Sequence, residues 1–241
     1  MKTTYLKYFL AVFAAAALFA GCSKNAETDP DPDPTPPAPP TPAYRIGDYY
    51  DHGFVKGVVV YVDETGEHGF LVSLKEHKEV WSYRDNEEAM RSQPGSGSYN
   101  SGCVQKIHDW KEYYPAFVKA CEDNVGALKR WFLPSMDELA KLYKAYTGHN
   151  TNDTEGGTGS LNSIKRLEMI AAPSEQQHKD FLNKCLTDNG GKALTEGVYW
   201  SSDENGPSIA FAFDMKEGKT VVTPSELNKK TEHLVRAMAS F

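Results

Sequence analysis

The sequence predicts an α+β domain held behind an export signal and an extended tether. Three observations predict it. β-rich runs lie at the two ends of the domain, Gly57–Val62 with its partner and Ser208–Asp214 with its partner. Helix starts marked by capping residues lie between them, at Ser135 and Ser174. No proline-rich or low-complexity break divides residues 44–241, so they read as one domain.

The N-terminus reads as an address. Lys2 and Lys7 precede an apolar stretch from Tyr8 to Ala20, too short to span a bilayer comfortably as a permanent helix. It ends in Leu18-Phe19-Ala20-Gly21-Cys22, which resembles a bacterial lipobox. That resemblance implies a signal peptide over 1–21, a diacylglyceryl group on the Cys22 thiol and membrane lipid as the first partner. Each buried CH₂ of an acyl chain contributes about 0.8 kcal/mol, so a multiply acylated Cys22 anchors stably. Ser23 after the cysteine favours the outer membrane under Gram-negative sorting. Residues 22–43 form a Pro/Asp-rich tether; proline fixes φ and lacks an N–H, so the stretch is extended.

Composition narrows the function. The formal net charge is −7, and it falls to −9 when Lys2 and Lys7 leave with the signal. That acidity argues against nucleic acid as a partner. Cys103, Cys121 and Cys185 remain beside Cys22, an odd number that cannot form a closed disulfide framework. Cys121 and Cys185 read as buried thiols on helices; a Cys103–Cys121 bridge stays open as an alternative. No CxxC spacing points to zinc.

Along the domain, Gly57–Val62 and Phe70–Leu74 flank a turn and predict a β-hairpin. Residues Asp85 to Gly102 read as a long surface loop. A helix is expected from Pro115 to about Gly126. Ser135 and Glu138 form an S-x-x-E capping box, after which Leu139, Leu142, Tyr143 and Tyr146 share one helical face and Gly148 ends the helix. Ser174 and Gln177 open a second helix, closed by Asn189-Gly190-Gly191. Then come strands at Val198–Ser202, Ser208–Asp214, Lys219–Thr223 and His233–Ala239, expected to form a terminal antiparallel sheet.

Three motifs stand out: Trp131-Phe132-Leu133-Pro134-Ser135 with Glu138, then Tyr199-Trp200-Ser201-Ser202, then Val235-Arg236-Ala237-Met238. With Gly57-Val58-Val59-Val60-Tyr61 and Gly66-x-His68-Gly69, they resemble the Lcl-type C-terminal domain family of bacterial lipoproteins, over nearly all of 44–241. Asp203 stands where that family usually has Ser or Thr, and Met238 where it has Val. The resemblance implies a C-type-lectin-like fold with an N-terminal β-hairpin, central helices and long loops. It does not imply the activities of that wider fold. Lectin-type calcium loops with Glu-Pro-Asn or Gln-Pro-Asp are missing, as are C-terminal cysteines of the formylglycine-generating kind.

No nucleophile elbow, HExxH, phosphate loop or GxGxxG occurs in the sequence. No catalytic or metal-ligating set is expected, and no cofactor; Asn150–Gly156 is only a faint calcium loop, lacking acidic first and last positions. Trp131, Leu133, Pro134, Ser135, Glu138, Tyr199, Trp200, Ser201 and Ser202 read as architecture, and Arg236 as a structural ion-pair partner. The ligand-facing residues are expected on exposed loops: Asp203, Glu204 and Asn205 in 203–208, and Asn152 in 150–159. The expected function is a non-enzymatic, membrane-anchored binding or adhesion module for a glycan or protein. A structural subunit of a surface assembly is the alternative, and a formylglycine-generating-type enzyme a more distant one.

Overall fold

Val58-Val59-Val60 is apolar without a break, the pattern of a strand covered on both faces, and that is where it lies. Val58 and Val60 face one core cluster and Val59 the other. The computed structural model describes residues 43–84, 86–90, 92, 95–124, 130–151 and 173–241. The chain divides into Met1–Pro40 and Thr41–Phe241, and every described residue belongs to the second unit. The signal, Cys22 and nearly all of the tether therefore lie outside the described residues, as does Asn152.

In chain order the strands are β1 (Tyr49–His52), β2 (Val55–Val62), β3 (Gly69–Ser73) and β4 (His77–Val80), followed by α1 (Gly97–Val104), α2 (Trp110–Tyr113) and α3 (Pro115–Ala120). Then come β5 (Trp131–Phe132), α4 (Met136–Thr147), α5 (Glu175–Asp188), β6 (Val198–Glu204), β7 (Ala210–Asp214), β8 (Lys219–Thr220), β9 (Glu232–Val235) and β10 (Met238–Ser240). One sheet has the order β1-β2-β3-β10-β5 and the other β4-β9-β6-β7-β8. This is an α+β architecture with two mainly antiparallel sheets.

Both capping boxes form. Ser135 accepts from the Glu138 amide and Ser174 from that of Gln177, while each N3 side chain reaches back to the cap amide. Gly148 closes α4 at φ 78°, in the left-handed region that favours glycine. Leu139, Leu142, Tyr143 and Tyr146 pack with Leu182 and Leu186 of α5 against β2.

The structure corrects three expectations. Gly97–Val104 is a helix, not loop, because Asn100 and Ser101 are buried and tied to β6 and to the segment before α4. The helix at Pro115 ends by Ala120, six residues before Gly126, and a turn follows at Cys121. The terminal run does not form one antiparallel sheet. Val235 pairs with His77 in one sheet, Met238 pairs with Val72 in the other, and β9 also pairs with β6 in parallel at Tyr199–Leu234. Four residues, Ser73–Glu76, thus lie opposite only Arg236 and Ala237. This bulge lets a single two-stranded ribbon pass from sheet to sheet.

Candidate functional site

The motif residues meet inside the protein. Glu138 Oε2 accepts from the Ser135 amide at 2.8 Å, Ser135 Oγ at 3.1 Å and the Gly97 amide at 3.1 Å. Asp203 accepts from Asn100 Nδ2 at 3.0 Å and from the Met136 amide at 2.7 Å. The Ser202 amide donates to Pro134 O at 2.7 Å, and Asn100 also reaches Ser202 Oγ. Two carboxylates therefore bind α1, the start of α4 and β6 into one lock. Burial pushes the carboxyls of both Glu138 and Asp203 above the usual range, against the pull of their amide donors.

Two further buried charge pairs hold the ribbon and the loops. Arg236 sits at the bulge, donating to Ser73 O at 2.8 Å and Lys192 O at 2.7 Å and facing Glu76 at 3.4 Å. Glu76 also accepts from Thr195 Oγ1 and Tyr199 Oη, each at 2.6 Å. Burial opposes the charge on Glu76, yet these hydroxyls and the guanidinium together hold its carboxyl below the ordinary range. Glu204 pairs with Lys229 and accepts from the Ala89 and Met90 amides at 2.7 and 2.9 Å. Lys229 donates as well to Glu87 O and Pro207 O, and lies over the Trp81 ring.

These contacts overturn the exposed-loop placement of Asp203 and Glu204. They are only 6% and 8% exposed, on β6, with their oxygens turned onto partners within the domain. A buried carboxylate needs such partners, so short polar residues after a strand can be hubs rather than loop. Asn205 is exposed, its amide bonded to Ile209 O. The tryptophans of the motifs are interior: the Trp200 indole donates to Glu79 O at 3.1 Å, and Trp131, Leu133 and Tyr199 are buried. Ser201 and Ser202 are buried on the same strand. Cys103, Cys121 and Cys185 are not joined in disulfides, so the Cys103–Cys121 bridge does not form.

A different region remains open. A cleft of about 140 Å³ is lined by Tyr50, His52, Phe54 and Val55, by Asp123, Asn124, Arg130 and Trp131, and by Ser240. β1 supplies Tyr50 and His52, and the turn after it supplies Phe54, which is 65% exposed. Trp131 lies across β2 because Gly57 has no side chain; a Cβ there would come within 3.0 Å of the indole. Tyr50 is braced by His52 at 4.4 Å and Phe241 at 5.2 Å between ring centroids, and His52 Nε2 meets Tyr44 Oη at 2.8 Å. Burial and Tyr44 push the Tyr50 phenol up, against the opposing charge of Arg130.

The polar groups of the cleft divide sharply. Both ends of the Asn124 amide bond the Trp131 backbone, at 2.8 Å each. Asp123 is held by Lys75 at 2.6 Å. Arg130 has no ion-pair partner among the described residues, and the Trp131 indole N–H has no acceptor among them. The cleft draws on segments far apart in sequence, and its one local signal is the aromatic run Tyr49-Tyr50-Asp51-His52-Gly53-Phe54.

Among the described residues no group of three or more His, Cys, Asp or Glu side chains could hold a metal ion, and no helix is long and apolar enough to cross a membrane. The faint calcium loop lies mostly outside them. No family model matches the chain, and no curated protein is similar to it. Among solved structures it is similar to a fimbrial protein from Bacteroides ovatus, at 14% identity and a TM-score of 0.49. The likeness covers 72% of this chain and 36% of that one, so the chain spans about a third of the length of the protein it matches.

Proposed function

We infer that this chain is a lipid-anchored, non-catalytic recognition domain of the bacterial cell surface, with the Tyr50–Phe54–Trp131 cleft as its ligand site. The carrying observation is the cleft itself: aromatic walls, a well-exposed Phe54 and a guanidinium without an ion-pair partner among the described residues. Concave sites that join apolar walls to a few free polar groups are the usual form of a binding site. The lipobox-like Cys22 supports the anchor and the outer membrane. The way two motif stretches, the one at Trp131–Glu138 and the one that begins at Tyr199, close with α1 on one hydrogen-bonded lock supports kinship with Lcl-type domains and a C-type-lectin-like plan, since motifs that specify one architecture should touch.

The test is a ligand screen on glycan and peptide arrays, repeated with Phe54→Ser. Binding lost in the variant, with an unchanged melting temperature, supports the cleft. Binding retained in full refutes it. Fatty-acid labelling of the wild type, absent in Cys22→Ala, tests the anchor.

A structural subunit of a surface assembly is the second reading. β1 is an outer strand of its sheet, with Tyr49 exposed and one side unpaired among the described residues, so a strand from another chain can add there. Higher-order species on sizing columns, dispersed by Tyr49→Pro, support it; a strictly monomeric chain counts against it.

A further inference from the structure

We propose that the cleft takes the C-terminus of a peptide whose last residue is apolar, the side chain resting on Phe54 and Trp131 and the carboxylate on Arg130. This rests on the cleft being the ligand site. The first argument is size. A cleft of about 140 Å³ matches the space that admits one benzene-sized ring, about 150 Å³. It has room for one anchoring side chain.

The second argument is which polar groups are left. A pyranose presents several hydroxyls, and each needs a partner once water is displaced. Asn124 is taken up by the Trp131 backbone, one carboxylate oxygen of Asp123 by Lys75, and one ring nitrogen of His52 by Tyr44. Among the described residues the Arg130 guanidinium is the one charged group of the lining without an ion-pair partner, and the Trp131 indole N–H and the hydroxyls of Tyr50 and Ser240 stand beside it without hydrogen-bond partners. A ligand that brings a negatively charged acceptor beside an apolar face complements the free guanidinium and the exposed Phe54 ring. A guanidinium binds a carboxylate through two parallel N–H···O bonds, which gives orientation as well as strength. A peptide terminus carries that carboxylate one atom from the side chain that would fill the cleft.

The experiment measures fluorescence anisotropy of the full chain in mild detergent with a labelled glycine-serine peptide ending in phenylalanine. The peptide is offered as the free acid and as the C-terminal amide. The free acid should bind, and the amide about tenfold more weakly, the loss expected for one charge-assisted contact. Arg130→Gln should bring the acid down to the level of the amide and leave the amide unchanged. Equal binding of acid and amide overturns the carboxylate contact; if Phe54→Ser then abolishes both, the cleft still stands as the site. Displacement by glucuronate, or binding of a neutral glycan in place of either peptide, overturns the peptide class while the cleft remains the site. Binding that survives Phe54→Ser removes the cleft and this inference together.

Discussion

The lock around Glu138 and Asp203 and the cleft around Arg130 use similar residue types and do opposite things with them. In the lock, carboxylates, amides and hydroxyls are turned onto one another within about 3 Å until little capacity is left. In the cleft, a guanidinium and an indole N–H are left over beside aromatic surface. A buried polar group without a partner costs about 1–3 kcal/mol, so the interior must be complete in itself. An exposed group has water as its partner and can exchange it for a ligand. Residue type alone therefore does not separate architecture from recognition; completeness of hydrogen bonding does.

The largest effects should come from breaking completeness in the interior. Arg236→Ala removes the guanidinium that faces Glu76 and two backbone carbonyls at the bulge. Leaving one partner of a buried pair uncompensated costs about 3–5 kcal/mol. Trp200→Ala should cost about the same, 3–5 kcal/mol, through the cavity left in the core. Chemical unfolding would measure both. A loss below 1 kcal/mol for Arg236→Ala would contradict its place in the ribbon.

How much of this was legible in the sequence follows the same division. The helices at Ser135 and Ser174 were readable because a cap and its N3 partner are three residues apart. The β2–β3 hairpin was readable for the same reason, its partners being near neighbours. Asp203 and Glu204 were not, since what buries them is Asn100, Met136, Ala89 and Lys229, all distant in the chain. Period-2 alternation marks a strand but not its sheet, so the split of the last run at Arg236 left no local trace. Glu76, the partner of Arg236, gave no signal at all, and the cleft joins residues near 50, 130 and 240.

Smaller effects sharpen the contrast between a buried and an exposed copy of the same device. Ser135 is fully buried and Ser174 is exposed, yet both close a capping box. Ser135→Ala should cost about 1–2 kcal/mol and Ser174→Ala about 0.5–1 kcal/mol. Equal losses would mean that the lock adds nothing to the cap.

Acidity offers a gentler probe of the interior. Burial holds His233 and His178 below the ordinary histidine range, with His149 adding to the effect on His178. The unfolded chain then binds protons that the folded chain refuses. Stability should fall as pH drops through about 6.5, the unfolded value, toward the lowered folded values. Glu138 and Asp203, held above their ordinary values, act in the other sense: their folded forms take protons first, so their contribution rises as pH falls through that raised range. His233→Gln should flatten the loss between pH 7 and pH 5, and Glu138→Gln should steepen it. Unfolding curves across that range that are superimposable for the wild type and His233→Gln would refute the assignment.

The smallest expected effect on stability is the one that most sharply separates the two regions. Arg130 is exposed and Phe54 is mostly so, and among the described residues neither has a hydrogen bond or ion pair that holds an element in place. Substitutions at such positions usually change stability by no more than about 0.5 kcal/mol. Arg130→Gln and Phe54→Ser should therefore melt with the wild type while ligand capture fails. The reverse pattern carries equal information. A loss of 2 kcal/mol or more at Phe54, measured by chemical unfolding, would mean that the ring closes the end of the sheet rather than the wall of a site. The cleft would then belong with the lock, as one more complete piece of interior, and the open edge of β1 would become the better place to look for a partner.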